Sequence, residues 1–291
     1  MGFDCLLVQY ADDCQFIIKG KPENLGDMIK KAENILVKAK YYFDRNGLLI
    51  NPSKTQFVFV GSRQNIAQIP NGTIITFDGN NITPSSFVKN LGVYFDKYMT
   101  FDIHIDKMHK KVMGILIYLS RIKDSIPYST RLLIVQALVL SIINYCSKIW
   151  GAASRFQLQK IQKLQNFAAR IVMGNVRKYD HITPHLNRLE WLKIENKYIF
   201  DICVHIFKIL NNQFPSWLYN IPRVGEFNNR NTRQDNNLFV PPTRTLAGDK
   251  EIRIRGPRLW NNLPTEVKNA VNITAFKKSL KKHLIESQIN T

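Results

Sequence analysis

The fold of this chain is decided near its start, by the stretch LLVQYADDCQFII at residues 6–18. Apolar runs at 6–10 and 16–18 flank the acidic pair Asp12 and Asp13. Two short apolar runs joined by turn residues are typical of a β-hairpin, and we expect the first run to be a buried strand. Adjacent carboxylates repel each other, so the pair forms either a plain solvated turn or a site for a hard divalent cation.

The residues after this hairpin predict an α+β fold. From Asn24 to Phe43 apolar side chains recur every three to four positions, which indicates an amphipathic helix. We expect this helix to pack beside the hairpin, with Asp12 at the hairpin tip and an exposed sheet edge that favours aggregation. Alternating apolar residues and turn signals predict further strands at 56–60, 73–77 and 86–95.

After residue 100 the apolar pattern becomes helical. The spacing there predicts helices at 104–122, 129–150, 155–173 and 194–210. A short helix is expected after Thr183-Pro184 and a basic one after Thr274, because these residues suit helix starts. The polar segment 225–245 is rich in Asn and Arg and predicts a long loop.

Charge is distributed unevenly along the chain. Its 41 Lys and Arg against 22 Asp and Glu give a formal net charge of +19, which favours a polyanionic partner, nucleic acid before an anionic membrane surface. Residues 1–100 carry 11 basic and 9 acidic side chains, residues 101–220 carry 17 and 7, and residues 221–291 carry 13 and 6. We therefore expect three regions with these boundaries.

Several classes of protein are disfavoured by the sequence. The longest apolar run, 132–146, is interrupted by polar residues and is shorter than the roughly 20 residues that span a bilayer. The N-terminus lacks the pattern of a signal peptide, so we expect an intracellular protein of the nucleus or cytoplasm, not a secreted or membrane protein. The four cysteines show no CxxC spacing, which argues against a zinc site and a disulfide scaffold.

Three motifs follow one another in the first hundred residues: YADD at 10–13, GLLINPSKT at 47–55 and VKNLGV at 88–93. In order and spacing they resemble the second half of the palm of reverse transcriptases from LINE-type, non-LTR retrotransposons, especially jockey-like ones. The segments LQKIQKLQN at 158–166 and RGPRLWNNLP at 255–264 resemble later parts of the same elements. The resemblance therefore covers nearly the whole chain.

The resemblance implies a fold and a chemistry. The fold would be a partial palm of antiparallel strands with one packed helix, an all-α thumb at 101–220, and a basic helical C-terminal region at 221–291. The parent chemistry would be RNA-directed DNA synthesis with two Mg²⁺ ions, which activate the primer 3′-hydroxyl and stabilise the leaving oxygen. The implied partners are an RNA template, a DNA primer strand and deoxynucleotides.

The resemblance also implies site residues. Asp12 and Asp13 would bind metal and, with Lys54, form the catalytic group; Tyr10, Ala11 and Asn51 would contact the nucleotide; Leu91, Gly92 and Val93 would hold the primer. Seven basic residues at helical spacing further predict a groove that follows phosphates, the alternative being a plain solvated face. These residues are Lys107, Lys110, Lys111, Lys160, Lys163, Arg170 and Arg177.

One part of the related active site is missing from the sequence. In that family a first metal-binding aspartate lies on a palm strand well upstream of YADD, and only eleven residues precede Asp12 here. We therefore expect a C-terminal fragment of a reverse transcriptase that is inactive alone. The alternatives are a non-catalytic RNA- or DNA-binding protein and an inert relic of a truncated element.

Overall fold

A computed structural model describes residues 5–215, 221–226, 236–243 and 245–289. The architecture is mixed α+β, as predicted: helices predominate, and the described strands form antiparallel pairs. The chain divides into two compact units, Met1–Ile103 and His104–Thr291. The predicted boundary at residue 220 stays a prediction.

The first unit holds three hairpins and one long helix. Its elements are β1 (Leu6–Tyr10), β2 (Asp13–Ile17), α1 (Leu25–Arg45), α2 (Arg63–Ala67), β3 (Ile75–Phe77), β4 (Asn80–Ile82), β5 (Phe87–Asn90) and β6 (Val93–Asp96). Among the described residues each strand pairs only with its neighbour in the chain, so no continuous sheet forms. Helix α1 packs on β3, and Ile35, Ala39, Ile75 and Phe77 are buried there.

Two hairpins turn through residues with positive φ. Asp78 and Gly79 have φ of 51° and 73°, as a type I′ turn requires, and strand β4 begins directly after them at Asn80. Leu91 and Gly92 have φ of 42° and 84°. The single strand predicted at 86–95 was therefore wrong, because this second turn folds it into the pair β5–β6.

Two strand predictions in the first unit fail for identifiable reasons. Among the described parts of the chain, segment 56–60 makes one β-bridge, from Phe57 to Pro84, and a proline has no N–H to extend a ladder. Strand β1 forms as predicted but is not buried: all five of its residues are exposed, with Tyr10 at 67%. Its apolar pattern indicated a covered strand, yet no described element covers it.

The second unit is helical. Its elements are α3 (Asp102–Ile122), α4 (Tyr128–Val135), α5 (Ser141–Asn144), α6 (Ser147–Trp150), α7 (Arg155–Met173), α8 (Thr183–Arg188), α9 (Ile194–Leu210), α10 (Leu246–Asp249), α11 (Ile252–Asn261), α12 (Thr265–Lys268) and α13 (Ile273–Ile289). Helix α9 is central, since α6, α7, α11 and α13 all pack on it. In this core the ring of Phe207 stacks on that of Phe276 at 4.4 Å.

The helix predicted at 129–150 is broken in the structure. After α4 the backbone makes a π-helical turn, Gln136–Leu140, and continues as α5. Cys146 then adopts a left-handed conformation with φ of 51°, and α6 begins. Beyond this break Trp150 is buried and its indole N–H donates to the carbonyl of Tyr145 at 2.7 Å. The run of apolar residues gave no sign of the interruption.

Amide side chains connect distant helices of this unit. In the LQKIQKLQN segment, Gln162 accepts a hydrogen bond from the backbone N–H of Ile194 at 2.8 Å, and Gln165 donates to the carbonyl of Leu192 at 2.9 Å. From α13, the buried Gln288 accepts from the N–H of Lys193 at 3.0 Å. These bonds position the start of α9 and give the segment a structural role.

The remaining sequence expectations have simple outcomes. The predicted loop at 225–245 lies partly outside the described residues, which leave out 227–235 and 244. Helix α13 is capped by Asn272, whose side-chain oxygen accepts from the N–H of Ala275 at 2.9 Å, and Thr274 lies inside the helix. No helix in the described ranges combines the length and apolar character needed to cross a membrane.

Candidate functional sites

The YADD tetrapeptide forms the tip of the first hairpin. Tyr10 pairs with Asp13, so Ala11 and Asp12 make a two-residue turn, and Ala11 has φ of 51°. All four residues are exposed. The side-chain amide of Gln9 donates to the carbonyl of Ala11 at 3.2 Å and holds the turn. Both carboxylates are therefore presented to solvent at adjacent positions.

The side chains of this pair are of the type that binds a hard divalent cation. Mg²⁺ commonly takes one or two carboxylates and completes its octahedron with water and phosphate oxygens, so Asp12 and Asp13 suit one such ion. No cluster of three or more His, Cys, Asp or Glu side chains comes together in the part of the chain that the structure describes. A two-ion centre needs further carboxylates. The two Mg²⁺ ions therefore stay a prediction.

The GLLINPSKT segment forms a separate short turn. Pro52–Lys54 is a 3-10 turn, and the side-chain oxygen of Asn51 accepts from the N–H of Ser53 at 3.0 Å and from its hydroxyl at 2.6 Å. Asn51 thus shapes the turn, and the side chain of Lys54 is exposed. Over the described residues, no hydrogen bond or ion pair links Lys54 to Asp12 or Asp13.

The primer-binding candidates lie in the turn between β5 and β6. Leu91 and Gly92 are exposed, and the positive φ of Gly92 leaves its backbone open to close approach. Val93 is different, because its side chain is only 2% exposed and belongs to the core of the first unit. The turn thus offers backbone atoms at two of the three positions.

Four of the predicted nucleic-acid-binding lysines are exposed. Lys107, Lys110 and Lys111 lie one turn apart on α3, and Lys163 is exposed on α7. At these spacings on α3 the three ammonium groups share one helix face. These four side chains are exposed, and their contact with phosphates stays a prediction.

Lys160 is engaged within the protein. Its ammonium group lies 2.9 Å from a carboxylate oxygen of Asp106 and 5.1 Å from the ring centroid of Phe156. This ion pair connects α7 to α3. A phosphate contact by Lys160 would therefore compete with Asp106.

The Arg170 side chain forms hydrogen bonds with the backbone of the loop that follows α7. Its guanidinium donates to the carbonyls of Arg177, Lys178 and Asp180, each at 3.1 Å, and to that of Asn166 at 3.3 Å. Four of its five N–H groups are thus used. Arg177 is exposed, and its backbone N–H donates to the Asp180 carboxylate at 2.7 Å. Arg170 therefore has a structural role, and Arg177 remains accessible.

A pocket that the sequence did not indicate lies beside this loop. Its volume is about 450 Å³, and it is lined by Ser120, Lys123, Phe167, Arg170, Ile171, Val176 and Lys178. Next to it Tyr179 is 91% exposed, and the Lys178 ammonium lies 5.7 Å from the Tyr179 ring centroid. The adjacent basic and aromatic residues at 178–179 were the available sequence signal.

The strongest pKa shifts occur in the core of the second unit. Burial lowers the pKa of His205 to about 4, with smaller contributions from the positive charges of Lys148 and Lys208. Burial also raises the pKa of the Cys203 thiol to about 12, so this cysteine is not a nucleophile. Both side chains belong to α9 and its packing.

No protein-family model, curated protein or solved structure gave a significant match to this chain. Function is therefore inferred from the residues, their geometry and their charge.

Proposed function

We propose that this chain is the C-terminal part of a LINE-type reverse transcriptase. The exposed YADD turn on a β-hairpin carries the proposal, because adjacent carboxylates at the tip of a strand pair are suited to a catalytic metal. In this proposal the first unit is a partial palm, and the second unit contains the helical thumb and the basic C-terminal region that begins near residue 221. The RNA and DNA partners imply action inside the cell, in the nucleus or cytoplasm.

Asp12 and Asp13 would hold Mg²⁺ against phosphate oxygens of the nucleotide. The ion would neutralise charge at the transferred phosphate. Because two carboxylates do not build a two-ion centre, we expect the chain alone not to extend a primer on an RNA template. Template-dependent incorporation by purified protein that Asp12→Ala abolishes would contradict this expectation.

Manganese provides a direct test of the metal site. Mn²⁺ broadens NMR signals of nearby nuclei, so titration should selectively broaden the backbone amides of Ala11 and Asp13. The internal control is Asp78, a single carboxylate that occupies another two-residue hairpin turn of the same unit and pairs there with Lys40. Asp12→Asn should remove the effect at Ala11. Equal broadening at Asp78 would mean that the YADD turn binds Mn²⁺ no better than an ordinary acidic turn. That result would contradict the polymerase proposal.

Nucleic-acid binding without catalysis is the second candidate function. The exposed lysines of α3 and α7 favour it, in a region with 17 basic and 7 acidic residues. For single strands the logarithm of affinity falls with the logarithm of salt by about 0.7 per phosphate contact, so four to six contacts give a slope of about −3 to −4. Labelled RNA titrated at several salt concentrations measures this slope.

Charge-reversal variants separate specific contacts from bulk charge. Replacement of Lys110, Lys111 and Lys163 by Glu should flatten the slope and weaken binding to all sequences alike. The control replaces three exposed lysines of the first unit and changes the net charge equally: Lys21, Lys30 and Lys38 to Glu. Equal losses in both triple variants, or salt-independent binding by wild type, would contradict a defined binding face.

A further inference from the structure

The pocket next to the 175–180 loop has the dimensions of a ligand site. Its wall comes from the end of α3 and from α7, and the following loop closes one side. The volume of about 450 Å³ lies within the roughly 300–1,000 Å³ that is typical of small-ligand pockets. All of the lining residues belong to the second unit.

The lining combines an apolar floor with a positive rim. Phe167, Ile171 and Val176 supply the apolar surface, whereas the charged members of the lining are all cations: Lys123, Arg170 and Lys178. The Lys123 ammonium donates to the carbonyl of Gly174 at 3.0 Å and lies 3.9 Å from a carboxylate oxygen of the exposed Asp124. A ligand phosphate would use the remaining N–H capacity in competition with Asp124. Such a pocket fits an anion that carries a flat, apolar body.

The loop beside the pocket is held in place while its tip stays open. Arg170 binds three of its carbonyls, and Asp180 accepts from the N–H of Arg177. These bonds fix the backbone on both sides of Tyr179, whose ring is 91% exposed. The fixed backbone therefore presents the exposed ring as a stacking face for a base.

We propose that this pocket binds one unpaired nucleotide of a single-stranded nucleic acid. The base would lie on Phe167, Ile171 and Val176, its phosphate near Lys123 and Lys178, and the neighbouring base would stack on Tyr179. A base fits this site better than an acidic peptide, because a planar ring covers an aromatic floor and uses an exposed tyrosine. The site rests on the proposal that the second unit binds nucleic acid, but it uses none of the lysines tested above.

Fluorescence of 2-aminopurine tests the proposal on the full chain. The probe is a single-stranded oligonucleotide of eight uridines with one central 2-aminopurine. Its fluorescence should be quenched when it binds to the protein. Tyr179→Ala should weaken its affinity roughly 5- to 100-fold, the range for loss of one base–aromatic stack, whereas Tyr179→Phe should restore it to within about twofold. Lys178→Gln should lower the salt slope by about 0.7, the value for one phosphate contact.

The control is an exposed tyrosine in a similar setting. Tyr41 is 52% exposed and has the Arg45 guanidinium 5.3 Å from its ring centroid, but it belongs to the first unit. Tyr41→Ala should bind like wild type. Equal affinity of the Tyr179→Ala variant and wild type, or equal competition by an octaglutamate peptide, would overturn the nucleotide pocket. If the protein still binds RNA in those cases, the proposed nucleic-acid-binding function stands and only the nucleotide pocket is wrong. If the folded wild-type protein binds no RNA at all, both the function and the pocket are wrong.

Discussion

His205 makes the stability of the second unit depend on pH. The folded side chain is neutral because its pKa is lowered from 6.5 to about 4, so the unfolded state takes up a proton first as pH falls. The contribution of neutral His205 to the free energy of unfolding is fully present above pH 6.5 and is lost as the pH falls towards 4. We expect a loss of about 2 kcal/mol, below the full value of the shift, because solvent screens the two lysines.

The pH effect is measured by urea unfolding of wild type and His205→Gln at pH 7 and pH 4.5. Gln does not titrate, so the variant should lose less stability between the two conditions. His104 adds to the effect in both proteins, since burial also lowers its pKa. Identical pH dependence of the two proteins would show that His205 is not the responsible group.

Gln288 is a second residue with a large predicted effect. Its side chain is 2% exposed and exchanges hydrogen bonds with Asn187, Trp191, Lys193 and Asn196. Gln288→Leu leaves buried polar groups without partners and should destabilise the protein by about 2–4 kcal/mol. Glu286→Gln on the exposed side of the same helix should change the unfolding free energy by less than about 0.5 kcal/mol.

At the scale of elements, two glycines should respond oppositely to substitution by alanine, because one allows close packing and the other only lowers helix propensity. A Cβ on Gly151 would meet the ring of Tyr198 at 2.3 Å and the carbonyl of Ser147 at 2.5 Å, whereas a Cβ on Gly114 in α3 would meet nothing within 4 Å. Gly151→Ala should therefore destabilise the α6–α9 contact by about 2 kcal/mol. Gly114→Ala should stabilise the protein by about 0.5–1 kcal/mol. Thermal unfolding of the two variants compares them, and similar melting temperatures would contradict the packing argument.

Regular elements were predictable where one local pattern determined them. Helices α7 and α9 have the predicted limits, because a one-sided apolar pattern and nearby turn residues define each of them. The break before α6 was not predictable. Apolar residues occur throughout 129–150, and nothing in the local sequence marks the left-handed backbone conformation of Cys146. A strand's burial depends on whatever covers it, which is why β1 was predicted at the right residues but wrongly as a buried strand.

The candidate sites divide in the same way. Asp12 at a hairpin tip follows from residues that are neighbours in sequence. The pocket unites Lys123, Phe167 and Lys178, and no local pattern relates positions so far apart. Likewise, the four hydrogen bonds of Arg170 depend on the path of a loop, and its spacing with the lysines gave no indication of them. Contact of Arg170 with nucleic acid stays a prediction.

At the scale of the whole molecule, the uncovered first hairpin should cause self-association. Val8 is 45% exposed on β1, and in the described structure neither edge of the hairpin pairs with a third strand. Such edges and apolar faces pair readily with other chains. Val8→Lys should shift the protein towards monomer in sedimentation velocity. Val271→Lys is the control, because this valine is 93% exposed and isolated.

The packing of α13 on α9 also has a consequence during synthesis of the protein. About 60 residues separate the two helices, and ribosomes add roughly 5–20 residues per second. Synthesis of α13 therefore begins about 3–12 s after α9 is complete. Through this interval Phe207 lacks the ring of Phe276 that later stacks on it. The nascent chain therefore presents an apolar helix face of the kind that chaperones bind, and its release depends on the arrival of α13.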